Sequence, residues 1–372
     1  GRAAAAARPR RRKLGPGAVL EPLSIQAAEP ASRPAGRREA GDPTALRIRE
    51  LADQLASRWQ DSPPDLVHAH SWVAGVAALA AGRELNLPQV QTFYSLAVQD
   101  GPQAGARRAR LELALARSAR AVLVGASAES SALARLGVPQ AAIRVVPPGV
   151  NTDLFQPDGP AADRGDRPRL LMVVTDLADG HAPAAALHAL TAVPGAELVI
   201  AGGPAPGKLA GDPGRQALSK LAGQLGLADR VTFTGRLTQA GMPALMRSAD
   251  VLLNLSPGGR LARVTIEAMA CGLPVIAVSS SVHQDAVLDG TTGYLIASTQ
   301  PAPLARRIRQ LLATPLREGM SIAAASRARD RYSWDRIGTE TLAVYEAAVQ
   351  ATHPAAKAAE PATAAAGLAD EP

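Results

Sequence analysis

The chain is poor in aromatic residues: Phe, Trp and Tyr together make up 3% of its 372 positions. Its core must therefore be built from Ala, Leu and Val, and the 47% apolar content is enough for that. The single cysteine, Cys271, excludes an internal disulfide and a cysteine-based zinc cage, and it fits a reducing, cytoplasmic setting. No apolar run approaches the ~20 residues that a membrane helix needs. The longest, residues 72–82, reads as a buried helix. Lysine is scarce too, at four of the 40 basic residues, which reads as compositional bias and not as chemistry. The first residue is Gly1 rather than Met, as expected of a processed end or a fragment, and nothing there resembles a signal peptide.

The net charge is +7, and much of the excess sits at one end. Arg2, Arg8, Arg10, Arg11, Arg12 and Lys13 come with no acid among them. Nucleic-acid binding of a specific kind is not expected, because this stretch has no aromatic residue on which a base could stack. It reads as a solvated, disordered tail over residues 1–16, with contact to an anionic surface or polymer as the alternative. A second Ala/Pro/Glu tail covers residues 353–372.

Between the tails, short β-rich runs alternate with Ala/Leu helices. In the first half the expected strands are 65–70, 89–93, 120–125 and 143–146. The helices lie near 43–60, 71–85, 105–118 and 127–136. In the second half the strands are 169–174, 197–201, 230–234, 251–254 and 274–278, with helices near 182–192, 213–225, 239–248, 262–271 and 301–314. Such alternation predicts parallel sheets covered on both faces. The rhythm breaks at residues 155–168, rich in Pro, Gly and Asp, and a last helix runs from Trp334 to about 350. The expected division is residues 17–157, a linker at 158–168, a second domain at 169–330 and a crossover helix at 331–350. The expected class is α/β with two Rossmann-like domains, whose ligands bind beyond the carboxyl ends of the strands.

Three stretches resemble the retaining glycosyltransferases of family 4. The first is Pro64-Asp65-Leu66-Val67-His68-Ala69-His70-Ser71-Trp72, followed by Pro88 to Phe93. The second is Leu136-Gly137-Val138-Pro139 with Val145 to Asn151 and Phe155. The third runs from Ile266-Glu267-Ala268-Met269 through Gly272-Leu273-Pro274 to Asp289-Gly290 and Gly293. The likeness spans about residues 45–350. It implies the GT-B fold, two domains facing a cleft with the last helix crossing back to the first, where Trp334 and Tyr345 would pack. It also implies transfer of a hexose, with retention and without a metal, from a nucleotide sugar (most often a UDP-sugar) to an acceptor that the motifs leave unnamed. Glu267 matches the acid that holds the donor ribose, and Val264 and Thr265 precede it.

Other expected site positions depart from the family pattern. A departing diphosphate needs cations and N–H donors. The family places an Arg and a Lys on the loop after the first strand of the second domain. Here that loop holds Asp176 and Asp179, and no Arg or Lys occurs between Arg169 and Lys208. Gly259 stands where a second Glu is expected, and Tyr94 stands where relatives have a His. The family's N-terminal strand and Gly-Gly loop have no counterpart. Gly258 and Gly259 still offer backbone N–H groups, and Arg236, Arg260 and Arg263 offer positive charge. Loss of one such donor typically costs ~10²–10³ in rate.

Three readings follow. One is a weak or inactive glycosyltransferase relative that keeps its nucleotide site, a pseudoenzyme. Another is an active enzyme with a rearranged donor site, including a variant in which Asp176 and Asp179 recruit Mg²⁺. The last is a non-catalytic binding or scaffold protein.

Overall fold

The structure, a computed structural model, describes residues 12–15, 18–21, 23, 43–93, 96–97, 105–256, 262–313, 315 and 317–352. Both expected tails lie largely outside these residues, as do Tyr94, Gly258, Gly259 and Arg260. The chain divides into two compact units. Unit 1 comprises Gly1–Leu123, Leu133–Arg144 and Leu342–Pro372; unit 2 comprises Val124–Ala132 and Val145–Thr341.

Unit 1 opens on an antiparallel hairpin, β1 (Arg12–Gly15) and β2 (Ala18–Leu20). This corrects the expectation of a disordered stretch through residue 16. Arg12 pairs with Leu20 and Lys13 with Val19, so the backbone groups at the end of the basic run find partners within the hairpin. Then come α1 (Pro43–Asp61), β3 (Val67–His70), α2 (Trp72–Gly82), β4 (Gln89–Thr92), α3 (Ala106–Ser118), β5 (Ala121–Val124), α4 (Ser127–Arg135), most of which belongs to unit 2, and β6 (Ile143–Val145). The sheet order is β3-β4-β5-β6, and the β3/β4 and β4/β5 pairs are parallel.

Unit 2 contains β7 (Arg169–Val174), α5 (His181–Leu190), β8 (Glu197–Gly202), α6 (Pro213–Gln224), β9 (Val231–Gly235) and α7 (Met242–Arg247). It continues with β10 (Val251–Asn254), α8 (Ala262–Ala270), β11 (Val275–Val278), α9 (Ser281–Ala286), β12 (Gly293–Ile296), α10 (Pro301–Ala313) and α11 (Arg317–Tyr332). The last helix, α12 (Trp334–Thr352), starts in unit 2 and ends in unit 1.

The six strands of unit 2 run parallel in the order β12-β11-β10-β7-β8-β9. Both faces are covered, and the pleat sorts the side chains accordingly. Leu170 and Met172 of β7 share one apolar cluster with Leu187, Leu190, Ile308 and Leu311 of α5 and α10. Leu171, between them, joins Ile266 and Met269 of α8 and Ala324 and Ala328 of α11 in the other. Truncating one such buried Leu to Ala typically costs about 2–5 kcal/mol.

At the amino ends of the strands, charge is used structurally. The buried Arg169 guanidinium donates from Nε to Glu197 (2.6 Å) and from Nη1 to Ser248 Oγ (2.9 Å). Asp250 pairs with Arg164 at 3.0 Å and Arg317 at 3.1 Å.

The segment read as a linker packs onto unit 2. Arg247 Nε donates to Pro160 O (2.8 Å), Arg164 Nη1 to Ser248 O (2.8 Å) and Ala162 N to Ala244 O (2.8 Å). Arg247 thus satisfies a carbonyl in a stretch too rich in Pro and Gly to pair as a strand, while Arg164 and Ala162 donate from it to the carbonyls of Ser248 and Ala244.

Trp334 packs on a residue of the expected first domain, residues 17–157, but both partners fall in unit 2. It belongs to unit 2, is 56% exposed and lies over Gly149, where an added Cβ would come 2.6 Å from the indole ring. Tyr345, in contrast, sits in unit 1 as expected.

Candidate functional site

In unit 2 the chain winds outward from β7 to β8 and β9, then returns to lay β10 on the other side of β7. The order thus reverses between β7 and β10, and at the carboxyl ends of such a pair open parallel sheets bind their ligands. Two segments leave this point: residues 175–180 after β7, and residues 255–256, the described part of the connection after β10.

The first loop carries Asp176 and Asp179, both exposed. Asp176 Oδ1 accepts the Ala178 N–H at 2.9 Å, an Asx turn that shapes the loop. Leu177 between them points inward and is 1% exposed. The loop ends at His181, the first residue of α5, and His181 is exposed. The start of α6 braces this loop from behind: Asp212 caps α6 by accepting from Arg215 N (2.8 Å). At Gly214 an added Cβ would come 2.5 Å from Leu177 C.

Next along the edge, β8 ends in Gly202, and Gly203 follows it, with φ of 125° and 75°. A Cβ at Gly202 would overlap the Val174 carbonyl oxygen. Arg236, directly after β9, is tied to this loop: its N–H donates to Pro204 O (2.8 Å) and its Nε to Gly203 O (3.2 Å). Its side chain is a clasp between two strand ends on the ligand edge.

After β10, the described part of α8 carries Arg263, Val264, Thr265 and Glu267. Thr265 is fully buried, and its Oγ1 accepts from Asn254 Nδ2 at 2.9 Å, joining the end of β10 to α8. Val264 packs half-buried against the α8-side core. Glu267 is 6% exposed; burial raises its carboxyl pKa, and the Arg263 guanidinium, with Nε 3.0 Å from Oε1, opposes that rise. The structure thus brings Asp176, Asp179, Glu267, Arg263 and Arg236 to one edge of one sheet.

Unit 1 holds a cluster to which sequence reasoning had given no role. His68 and His70 alternate on β3, so their side chains share a face, and their rings lie 4.1 Å apart. His68 bridges two hydroxyls, with Nδ1 2.5 Å from Tyr345 Oη and Nε2 2.7 Å from Thr92 Oγ1. Burial first, then the His70 charge, lowers the His68 pKa from 6.5 to about 4; burial lowers that of His70 too. His68 is therefore neutral at pH 7, donating through one nitrogen and accepting through the other. The His-x-His spacing was the available signal for the ring pair.

Two family models match. One, described as Glycosyltransferase Family 4, covers residues 18–154; the other, Glycosyl transferases group 1, covers residues 165–328. The match therefore starts upstream of the expected residue 45, at the second strand of the hairpin. The D-inositol 3-phosphate glycosyltransferases of Mycobacterium tuberculosis and Mycobacterium bovis are 31% identical over 301 residues, 77% of this chain and 62% of theirs. The chain thus spans about three fifths of the length of these curated relatives.

Among solved structures, the sucrose-phosphate synthase of Thermosynechococcus elongatus superposes with a TM-score of 0.74 at 24% identity, over 93% of this chain and 87% of that one. HepE of Anabaena in complex with UDP and glucose gives 0.64 at 20%, over 80% of each chain. The fold is GT-B, and the chain belongs to glycosyltransferase family 4.

Proposed function

We propose that this chain binds a nucleoside diphosphate sugar, UDP-linked, beyond the carboxyl ends of β7 and β10, and that its turnover is weak or absent. The observation that carries this reading is the loop 175–180. It lies where a leaving diphosphate would develop charge, yet it holds two exposed aspartates and no Arg or Lys. Anions there oppose a departing dianion. Retention of the buried Glu267 and the glycines at the end of β8 supports binding. The solved relative from Anabaena holds UDP and glucose, which favours a uridine nucleotide.

A second reading draws on Arg236 and Arg263, both on the same edge: they replace the missing cations and the enzyme turns over. Alanine at both positions with unchanged donor affinity and rate rules this out. Among the described residues, no helix is long and apolar enough to cross a membrane. We place the chain in the cytoplasm, on the strength of its one free, buried cysteine.

The test is calorimetry with UDP, GDP and ADP, followed by donor hydrolysis on the same sample. UDP binding without hydrolysis is the expected result. Hydrolysis of UDP-glucose at ordinary enzymatic rates, about 1 s⁻¹ or faster, refutes the claim of weak turnover. No binding of any nucleotide refutes the whole reading.

A further inference from the structure

Resting on the nucleotide reading, we infer that Arg263 is a positioning residue for donor binding: its guanidinium grips Oε1 of the buried Glu267 as an anion and leaves Oε2 to accept from a pair of ribose hydroxyls. The asymmetry of the pair points to this. The Glu267 side chain is 8% exposed while that of Arg263 is 60% exposed, so the cation reaches inward over one helical turn to a carboxylate removed from water. An ordinary i,i+4 pair has both partners in solvent and contributes little. A buried carboxylate with one cation partner behaves differently: removal of the cation leaves an uncompensated charge, and the carboxyl then protonates.

The elements packed against α8 supply no substitute. On α7, Arg247 acts on the Cys271 thiol, one turn beyond Glu267. On α9, His283 Nδ1 is held by Val278 O (2.8 Å) and Ser280 Oγ (3.1 Å), and Asp285 Oδ2 accepts from Ser127 N (2.6 Å). On α11, Arg327 donates to the Asp285 and Ala286 carbonyls at 2.6 and 2.9 Å, and the Tyr332 hydroxyl also donates to Asp285 O. Among the described residues, Arg263 is the cation that acts on the Glu267 carboxyl. A protonated Glu267 would spend one oxygen as a donor and bind a diol poorly.

The experiment compares wild type, Arg263→Met, Arg263→Lys and Glu267→Gln, each first checked for native circular dichroism. UDP affinity is measured by calorimetry at pH 5.5, 6.5 and 7.5, and the Glu267 carboxyl is titrated by ¹³C NMR without ligand. Wild-type affinity is expected to be flat across this range. Arg263→Met should bind about tenfold more weakly at pH 5.5 and recover part of the loss by pH 7.5, with its Glu267 midpoint moved up by about one pH unit. Arg263→Lys should restore most of the affinity, and Glu267→Gln should be weak and pH-independent. Arg263→Met that binds like wild type at every pH, or a Glu267 midpoint that does not move, overturns the inference. If wild type binds no UDP, the nucleotide reading fails by itself and takes the ribose role with it; the NMR titration then decides whether Arg263 governs the Glu267 charge.

Discussion

Neutralising Asp176 and Asp179 tests the electrostatic reading directly. Asn is the right replacement, because its side-chain oxygen can still accept the Ala178 N–H that Asp176 accepts at 2.9 Å. The loop then keeps its Asx turn and loses only charge. Take an effective dielectric of roughly 60 at an exposed loop and a separation of about 7 Å. One negative charge then costs a bound dianion about 1.6 kcal/mol before screening. With a Debye length of about 8 Å at 0.15 M salt, about 0.7 kcal/mol remains, a threefold change in affinity. At about 10 mM salt screening is slight, and the change approaches eightfold. The double variant D176N/D179N should therefore bind UDP about tenfold tighter than wild type at 0.15 M salt and about sixtyfold tighter at 10 mM. Calorimetry at the two ionic strengths reads both numbers. Turnover should not return, since no cation has been added. Equal affinities for the two proteins, or a ratio insensitive to salt, would refute the idea that the loop repels the diphosphate.

Three further outcomes follow from the structure. Gly202→Ala places a Cβ at φ 125° into the Val174 carbonyl oxygen, so it should cost about 3 kcal/mol or more in urea unfolding, whereas Gly207→Ala, with open space around it, should be near neutral. The folded state holds His68 below its unfolded pKa, so its contribution to stability is complete above about pH 6.5 and is lost as pH falls toward 4. The drop from 6.5 to about 4 caps this at about 3 kcal/mol, and solvent screening of the half-buried ring reduces it to about 1–2 kcal/mol; His68→Gln should flatten that part of the pH–stability curve. Cys271 is 6% exposed, with its thiol pushed up to about 12 by burial, so a thiol reagent should modify it only at the rate of unfolding.

The strands of unit 2 were legible because each is a run of Val, Leu and Ile bounded by Pro, Gly or Asp; β7 and β10 fall where the pattern placed them. In unit 2, three elements were not read in advance. Both α9 and β12 are short, six and four residues, and lack a full period of either kind. The helix α11 buries Met320, Ala324, Ala325, Ala328 and Tyr332 but leaves Ile322 exposed, so its inner face does not stand out from the outer one by hydropathy. At the site, the acidic loop and Glu267 were visible as spacing. The pairing of Arg263 with Glu267 is an i,i+4 relation that helix geometry permits, yet the two had been taken as separate donor contacts. The bond between His68 and Tyr345 joins residues 277 apart, and no local pattern encodes it.

Fold and chemistry here rest on different residues, which is why one can change without the other. The sheet of unit 2 is held by side chains such as Leu170, Leu171, Met172 and Ile200, all 0–1% exposed, and by the ion cluster of Arg169, Glu197 and Asp250 at the amino ends of the strands. The groups that would stabilise a leaving diphosphate belong at the opposite, carboxyl edge, on loops exposed to water. An aspartate at position 176 is exposed and removes no apolar burial, and it contributes to the loop by closing an Asx turn. Substitutions on such a loop typically change stability by about 0.5 kcal/mol or less, while the same change costs a transition state several kcal/mol. A family 4 chain can therefore lose its catalytic cations and keep a GT-B core. Membership in the family follows from the core; activity has to be read from the loops.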